Sequence, residues 1–476
     1  MLLAHATITA SADHHRQLAV DLASRFEGEI VNGDAMQLYK GLPIITNKIP
    51  LEERDGIPHH LLGCIGLDEE TWTVSRFVKK ALNVIEEIRS RGRLPILVGG
   101  THYYTQSLLF KDGLADEDVE SGRENEGATE ARKPFAILEE PTEAILEMLR
   151  EVDPVMADRW HPNERRKIQR SLEIWLKTGK RASQVYEEQQ RRKQIGDHAG
   201  ETVVSGEGLT ATRMRFPTLM LWVHSSTETL HARLDARVDK MIQDGLLAEV
   251  NELDEYLQAQ EATGNTVDRT RGIWVSIGYK EFEGYQTALR TGNSTEEELS
   301  KLKMEAIEKT QAATRQYAKR QVKWIRTKLL HALTAAQAGD KLFLLDGSDL
   351  AAWKRNVECL AFDLTASILE GAELPKPHSL SEPAAEMLVP KTEYDMSQRQ
   401  DLWRRRTCEV CNITAVTESE WNQHTKSRSH RRAVSSRKRK DDPSVNLPRA
   451  KGIQKASTDH LEGSMESFDT ITIEVK

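Results

Sequence analysis

Cysteine is scarce in this chain, with four among 476 residues. Cys64 and Cys359 stand alone and only Cys408 and Cys411 lie close together, which excludes a disulfide framework and suits a reducing compartment with a metal site. No apolar run approaches the roughly 20 residues that span a bilayer, so no membrane partner is expected. Lysine and arginine are missing before Arg16 and no cleavage-site pattern follows, so neither a secretory nor a convincing mitochondrial signal is read, and the expected compartments are cytoplasm and nucleus. An excess of positive charge is missing as well: 66 basic against 74 acidic residues leave −8, which argues against generalised nucleic-acid binding. The average hides a cluster, because residues 402–440 hold eleven Lys or Arg against three acids. Glycine, finally, is absent from the link Thr9-Ala10-Ser11-Ala12-Asp13-His14-His15-Arg16.

What is present reads as α/β. A helical stripe over residues 18–26 passes Gly28 into a short strand, Glu29-Ile30-Val31, preceded by a poor strand over residues 3–9. Apolar residues at Val74, Phe77, Val78, Ala81, Leu82, Ile85 and Ile88 predict a helix ended by Gly92. Leu94-Pro95-Ile96-Leu97-Val98 then reads as a buried parallel strand, and Gly99-Gly100-Thr101 opens another helix. Residues 142–194 are helical by pattern, and a buried strand returns at residues 218–223, so the helical unit is an insertion in the sheet domain. Ser226 caps a long helix whose Arg233, Arg237 and Lys240 share a face. The expected divisions are an α/β core over 1–115 and 213–370, a helical insertion over 133–212, a proline- and serine-rich linker over 371–400, a finger with a basic segment over 401–440, and a disordered tail over 441–476.

Three stretches carry chemistry. Asp34, on the loop after the Glu29-Ile30-Val31 strand, lies where open α/β sheets bind ligands; it reads either as a base or as a cap of the next helix. Arg315, Lys319, Lys323 and Arg326 recur along one helical face, which suits contact with a polyanion as well as a solvated surface. Asn163 to Ile174 sets a second basic face, whose plainer reading is a solvated one. Cys408-x2-Cys411, twelve residues, His424, five residues and His430 give the ligand spacing of a closed, structural zinc finger. Arg437-Lys438-Arg439-Lys440 beyond it reads equally as a nucleic-acid arm or a nuclear import signal.

Asn32-Gly33-Asp34-Ala35-Met36-Gln37-Leu38-Tyr39, the Gly99-Gly100-Thr101-His102-Tyr103-Tyr104 turn and the basic helix together resemble the tRNA dimethylallyltransferases, also called tRNA isopentenyltransferases, over residues 18–346. The appended finger resembles the eukaryotic, especially fungal, branch. The resemblance implies a P-loop-kinase-like parallel sheet, a helical insertion gripping the tRNA anticodon stem-loop, and a monomer. It implies transfer of a dimethylallyl group from dimethylallyl pyrophosphate to the exocyclic amine of the adenosine 3′ of the anticodon, on an extruded base. Asp34 would be the general base and Gln37 would recognise adenine. Thr101, Arg237 and residues 311–321, among them Arg315, Lys319, Arg320 and Gln321, would steady the leaving pyrophosphate with magnesium beside Gly99 and Gly100. Arg165, Arg166, Arg170 and Lys323 would contact tRNA phosphates.

The chain departs from that pattern at one place. The family's Gly-x-Thr-Gly-x-Gly-Lys-Ser/Thr phosphate loop falls across residues 10–16, where every glycine is gone, His15 takes the lysine place and Arg16 the hydroxyl place. Without glycine the backbone does not readily aim its amides at phosphate, and without lysine a permanent charge is lost. The reading that follows is an enzyme with a damaged donor loop, and the alternative is a protein that binds tRNA without turnover.

Overall fold

The computed structural model describes residues 2–7, 12–111, 135–195, 214–392 and 403–441. These divide into two compact units, residues 1–403 and 404–476. Of the expected donor loop, residues 10–11 lie outside the description and residues 12–16 form the opening turns of a helix; most of the acidic stretch after Lys111, the last part of the linker and nearly all of the tail also lie outside it.

Six parallel strands form one sheet in the order β3-β2-β4-β1-β5-β6, comprising β1 (Leu2–Thr7), β2 (Gly28–Asn32), β3 (His59–His60), β4 (Leu94–Gly99), β5 (Thr218–His224) and β6 (Leu342–Asp346). The poor strand of the sequence reading is the central one, hydrogen-bonded to β4 on one side and β5 on the other. Side chains alternate between two cores, as a two-residue period demands. In β5, Leu219, Leu221 and Val223 face one core and Met220 and Trp222 the other. In β6, Phe343 and Leu345 part from Leu342 and Leu344 in the same way. Helix α1 (Ala12–Arg25) covers the first core with Leu18, Ala19, Leu22 and Ala23, while α2 (Val74–Ser90) and α3 (His102–Leu109) cover the second. A sheet dressed on both faces has its free ends at the strand termini, and ligands of such sheets bind outside the carboxyl ends.

Between β4 and β5 the chain makes the insertion, with helices α4 (Thr142–Val152), α5 (Pro154–Arg159), α6 (Arg165–Thr178) and α7 (Ala182–Ile195) around a core of their own. The wholly buried Asp153 joins them: its carboxylate accepts from Met156 N at 3.3 Å and from Ser183 N at 2.8 Å, capping two helices with one side chain.

After β5, α8 (Thr227–Asp244) begins on the Ser226 cap and ends at Gly245, whose φ of 109° only glycine adopts freely. Then follow α9 (Leu246–Ala262), α10 (Glu283–Thr291) and α11 (Glu296–Trp324), the last opened by a reciprocal Thr295/Glu298 capping box. Between α9 and α10, the aromatic side chains of Trp274, Tyr279 and Phe282 are buried in packing.

The linker expectation needs correction. Residues 371–392 are not a spacer: a short helix, Glu382–Met387, packs against β6 and the adjoining turn, with Ala384 fully buried. Proline and serine here serve as helix-start signals, since Ser381 Oγ accepts from Ala384 N at 3.2 Å and Pro383 sits in the first turn. Composition averages cannot separate capping chemistry from a solvated spacer. Among the described residues no helix is long and apolar enough to cross a membrane.

Candidate active site

The carboxyl ends of β2 and β4 meet backbone to backbone. Gly33 N donates to Val98 O at 2.7 Å, and a Cβ on Gly99 would lie 2.2 Å from Gly33 C, a distance no side chain tolerates. Two turns therefore emerge side by side, the Asp34 turn from β2 and the Gly99-Gly100-Thr101 turn from β4.

The Asp34 turn is built by its neighbours. The buried Asn32 accepts from Asp34 N through Oδ1 at 3.0 Å, and its Nδ2 donates to Asp34 O at 3.0 Å and Leu61 O at 2.9 Å. Asp34 itself accepts from Met36 N at 2.9 Å. Thr101, the N-cap of α3, makes no side-chain cap bond to its own helix; its hydroxyl accepts from Ala35 N at 3.0 Å, tying the two turns together. From the far end of the chain, Tyr317 OH (3.2 Å) and Gln321 Nε2 (2.9 Å), one helical turn apart on α11, both donate to Gly100 O.

Burial pushes the Asp34 carboxyl above the usual aspartate range, opposed by N–H groups of Met36 and Gln37, by the Arg237 charge and by Gly100 N–H. Burial likewise raises the Tyr317 phenol, and the Asp34 charge adds to it. Asp34 is thus set up as a carboxylate with unusual appetite for a proton, next to a hydroxyl that keeps its own.

Both turns open on a cavity of about 650 Å³. Its wall is apolar where Ile30, Ile45, Ile49, Val98, Met241 and Val275 face it. Five cations reach it, Arg16, Arg166, Arg237, Lys280 and Arg320, against two carboxylates, Asp34 and Glu281. An apolar wall with a cationic surplus fits a ligand that is hydrocarbon at one end and polyanionic at the other.

Of the residues expected from the sequence, Asp34, Gln37, Gly99, Gly100, Thr101, Arg166, Arg237, Arg320 and Gln321 all line this cavity. Gln37 Nε2 donates to Asn47 O at 3.1 Å. Arg315 and Lys319 do not line it: Arg315 is ion-paired with Asp235 of α8, and Lys319 is exposed, as is Lys323 one turn further on. Arg165 is turned onto the insertion's own backbone, donating to Glu140 O at 2.6 Å and Leu138 O at 3.0 Å. Arg170 pairs with Glu173 at 2.9 Å. The shared face of Arg233, Arg237 and Lys240 divides likewise: Arg233 holds Gly347 O and Ser348 O, Lys240 pairs with Asp244, and Arg237 alone of the three lines the cavity.

Asn32, Tyr317 and Lys280 were not singled out by sequence reasoning. Asn32 two residues before an aspartate is an Asx-turn signal, and Tyr317 sits one helical turn before Gln321. Arg16, assigned only as the occupant of a lost hydroxyl, reaches the cavity and donates to Lys48 O at 2.9 Å.

The second unit holds a candidate metal centre. A hairpin of β7 (Trp403–Thr407) and β8 (Thr414–Thr417) precedes a helix, Glu418–Lys426, and the ligand atoms of Cys408, Cys411, His424 and His430 all lie within 4.8 Å of one another. His430 Nδ1 is 3.5 and 3.4 Å from the two sulfurs, and the buried His424 Nε2 has no hydrogen-bond partner among the described residues. Two thiols and two imidazoles converging on one point, one with an orphaned nitrogen, fit structural zinc.

The chain is similar to known proteins of one family. The sequence profile described as IPP transferase matches residues 37–328, and that of a C2H2-type zinc finger matches residues 406–430. The tRNA dimethylallyltransferase of Saccharomyces cerevisiae is 37% identical over 87% of this chain and 88% of its own length. The human tRNA dimethylallyltransferase is 31% identical over 93% and 87%. A crystal structure of a eukaryotic dimethylallyltransferase acting on tRNA superposes with a TM-score of 0.69 at 33% identity, covering 93% of this chain and 98% of that one.

Proposed function

This chain belongs to the IPP transferase family, the tRNA dimethylallyltransferases, and from that membership we propose how its cavity works. It transfers a dimethylallyl group from dimethylallyl pyrophosphate to the exocyclic amine of the adenosine 3′ of the anticodon in tRNA. The amine nitrogen bonds to the prenyl C1, the C1–O bond breaks, pyrophosphate leaves, and the amine's surplus proton passes to Asp34. The observation that carries this reading is a carboxylate of raised proton affinity fixed at a strand end, inside a cavity ringed by five cations.

Arg237, Arg320 and Arg16 would take the pyrophosphate charge, with Arg16 covering in part for the missing lysine of the donor loop. The apolar wall would hold the prenyl chain, and Gln37 would read the adenine edge. Thr101 and Gln321 act mainly by bracing the two turns. Magnesium fits the oxygen donors of Asp34, Thr101 and Tyr317 only as a companion of the diphosphate, because they are too few for a cage of protein ligands; when bound it would disperse leaving-group charge. Arg166 would meet the tRNA at the cavity mouth, and Arg170 and Lys323 its phosphates, whereas the bonds of Arg165 fit a clasp within the insertion.

The test is incubation of the full chain with labelled dimethylallyl pyrophosphate, magnesium and unmodified tRNA reading codons that begin with U. Label transfer that Asp34→Asn abolishes is the expected result. Tight tRNA binding with no transfer by the wild type would replace this reading with that of a non-catalytic tRNA-binding protein.

A further inference from the structure

Residues 42–49 form the side of the cavity nearest Gln37, and nothing in the reaction as written uses what holds them there. Ile45, Thr46, Asn47 and Ile49 line the cavity. Their segment has little regular structure and is pinned from outside. Glu249, 7% exposed on α9, accepts from Ile44 N through one carboxylate oxygen at 2.8 Å and from Ile45 N through the other at 2.7 Å, some 205 residues away along the chain. Further on, the same segment presents Asn47 O to Gln37 Nε2 and Lys48 O to Arg16 Nη1. The Lys48 ammonium folds back onto Gly41 O at 2.6 Å and Thr46 Oγ1 at 2.8 Å, closing the loop on itself.

From this geometry we infer that Glu249 is a positioning residue for the acceptor base: it fixes the register of residues 42–49 and, through Asn47 O, the orientation of the Gln37 amide. The inference rests on the reading of Gln37 as the adenine contact. A carboxylate is suited to the task because it offers two acceptor oxygens to two successive N–H groups. A carboxamide of the same size offers one oxygen, so one buried N–H must face an NH2 group. Glu249 lines no part of the cavity, so it acts only through the loop.

The experiment uses the full chain with the Glu249→Gln and Glu249→Asp variants, read by steady-state transfer, and the same Gln change in a Gln37→Ala background. Glu249→Gln is expected to lower kcat/KM for tRNA about tenfold while the KM for dimethylallyl pyrophosphate stays within about twofold, with Glu249→Asp intermediate. On the Gln37→Ala background the further loss should shrink below about threefold, because the two residues act in series. An unchanged kcat/KM, an equal rise in both KM values, or full additivity with Gln37→Ala would each overturn the inference, and should Glu249→Gln fail to fold, Glu249→Asp is read by the same criteria. If the wild type transfers nothing, the proposed function falls and the clamp is decided by amide hydrogen exchange. Slow Ile44 and Ile45 amides that become fast in the variant would sustain it, and amides equally slow in both would overturn it.

Discussion

Asp34 couples catalysis to stability in opposite senses. Its folded-state affinity for protons is raised by burial, so the folded chain binds the proton more tightly than the unfolded one, and stability falls as pH rises from the ordinary aspartate range through the raised value. Asp34→Asn should therefore melt at a higher temperature than wild type at neutral pH, in differential scanning calorimetry, while transferring nothing. Activity runs the other way, because the base must be ionised: the acid limb of kcat/KM should lie above the usual aspartate range. Beside it, Asn32→Ala removes three hydrogen bonds from a buried amide and should cost about 1–3 kcal/mol in urea unfolding, with a fall in kcat larger than any rise in KM. Asp34 was legible locally only as an acid at the end of an apolar strand, open to a capping role as well, and the family resemblance alone named it as the base; the structure adds that it lines the cavity. For Asn32 the two bonds to Asp34 carry a local Asx-turn signal, whereas the bond to Leu61 was not legible, since Leu61 lies on a different loop that no local pattern links to it. Gly99 was legible as a turn residue but not for its actual constraint, contact with Gly33, which exists only once β2 and β4 pair.

At the scale of the element, α11 shows what periodicity can and cannot say. The recurrence of basic residues located the helix, and its face toward the cavity does carry Arg320 and Gln321. Periodicity does not reveal which cations meet acids on a neighbouring helix, and Arg315 does so with Asp235. Arg315→Ala should accordingly alter stability by no more than about 1 kcal/mol, as half-exposed pairs do, and leave the KM for dimethylallyl pyrophosphate nearly unchanged. Arg320→Ala should raise that KM several-fold with little change in melting temperature, a contrast that steady-state kinetics on the two variants resolves. The short helix Glu382–Met387 makes the complementary point, because Ala384 is buried against the sheet domain although its surroundings read as spacer. A chain ending at residue 376 should unfold at lower denaturant than one ending at residue 403.

On the scale of the whole molecule, the finger was the most legible part of the chain, because four ligands at fixed spacing need no tertiary information. Its unit is compact in itself, so stripping zinc with a strong chelator should abolish the finger's ordered signals while the cooperative unfolding of residues 1–403 is kept. Cys408→Ser should weaken tRNA affinity, measured by fluorescence anisotropy, while residues 1–403 stay folded. The catalytic unit is the opposite case, since its site is assembled from distant pieces. Gly100 is held by Tyr317 and Gln321, 217 and 221 residues later in the chain. During synthesis the two turns at the ends of β2 and β4 are made early, yet they lack those braces until α11 has left the ribosome. Competence for transfer is therefore among the last properties the nascent chain acquires, and a chain arrested anywhere in the insertion carries the base without the architecture that aims it.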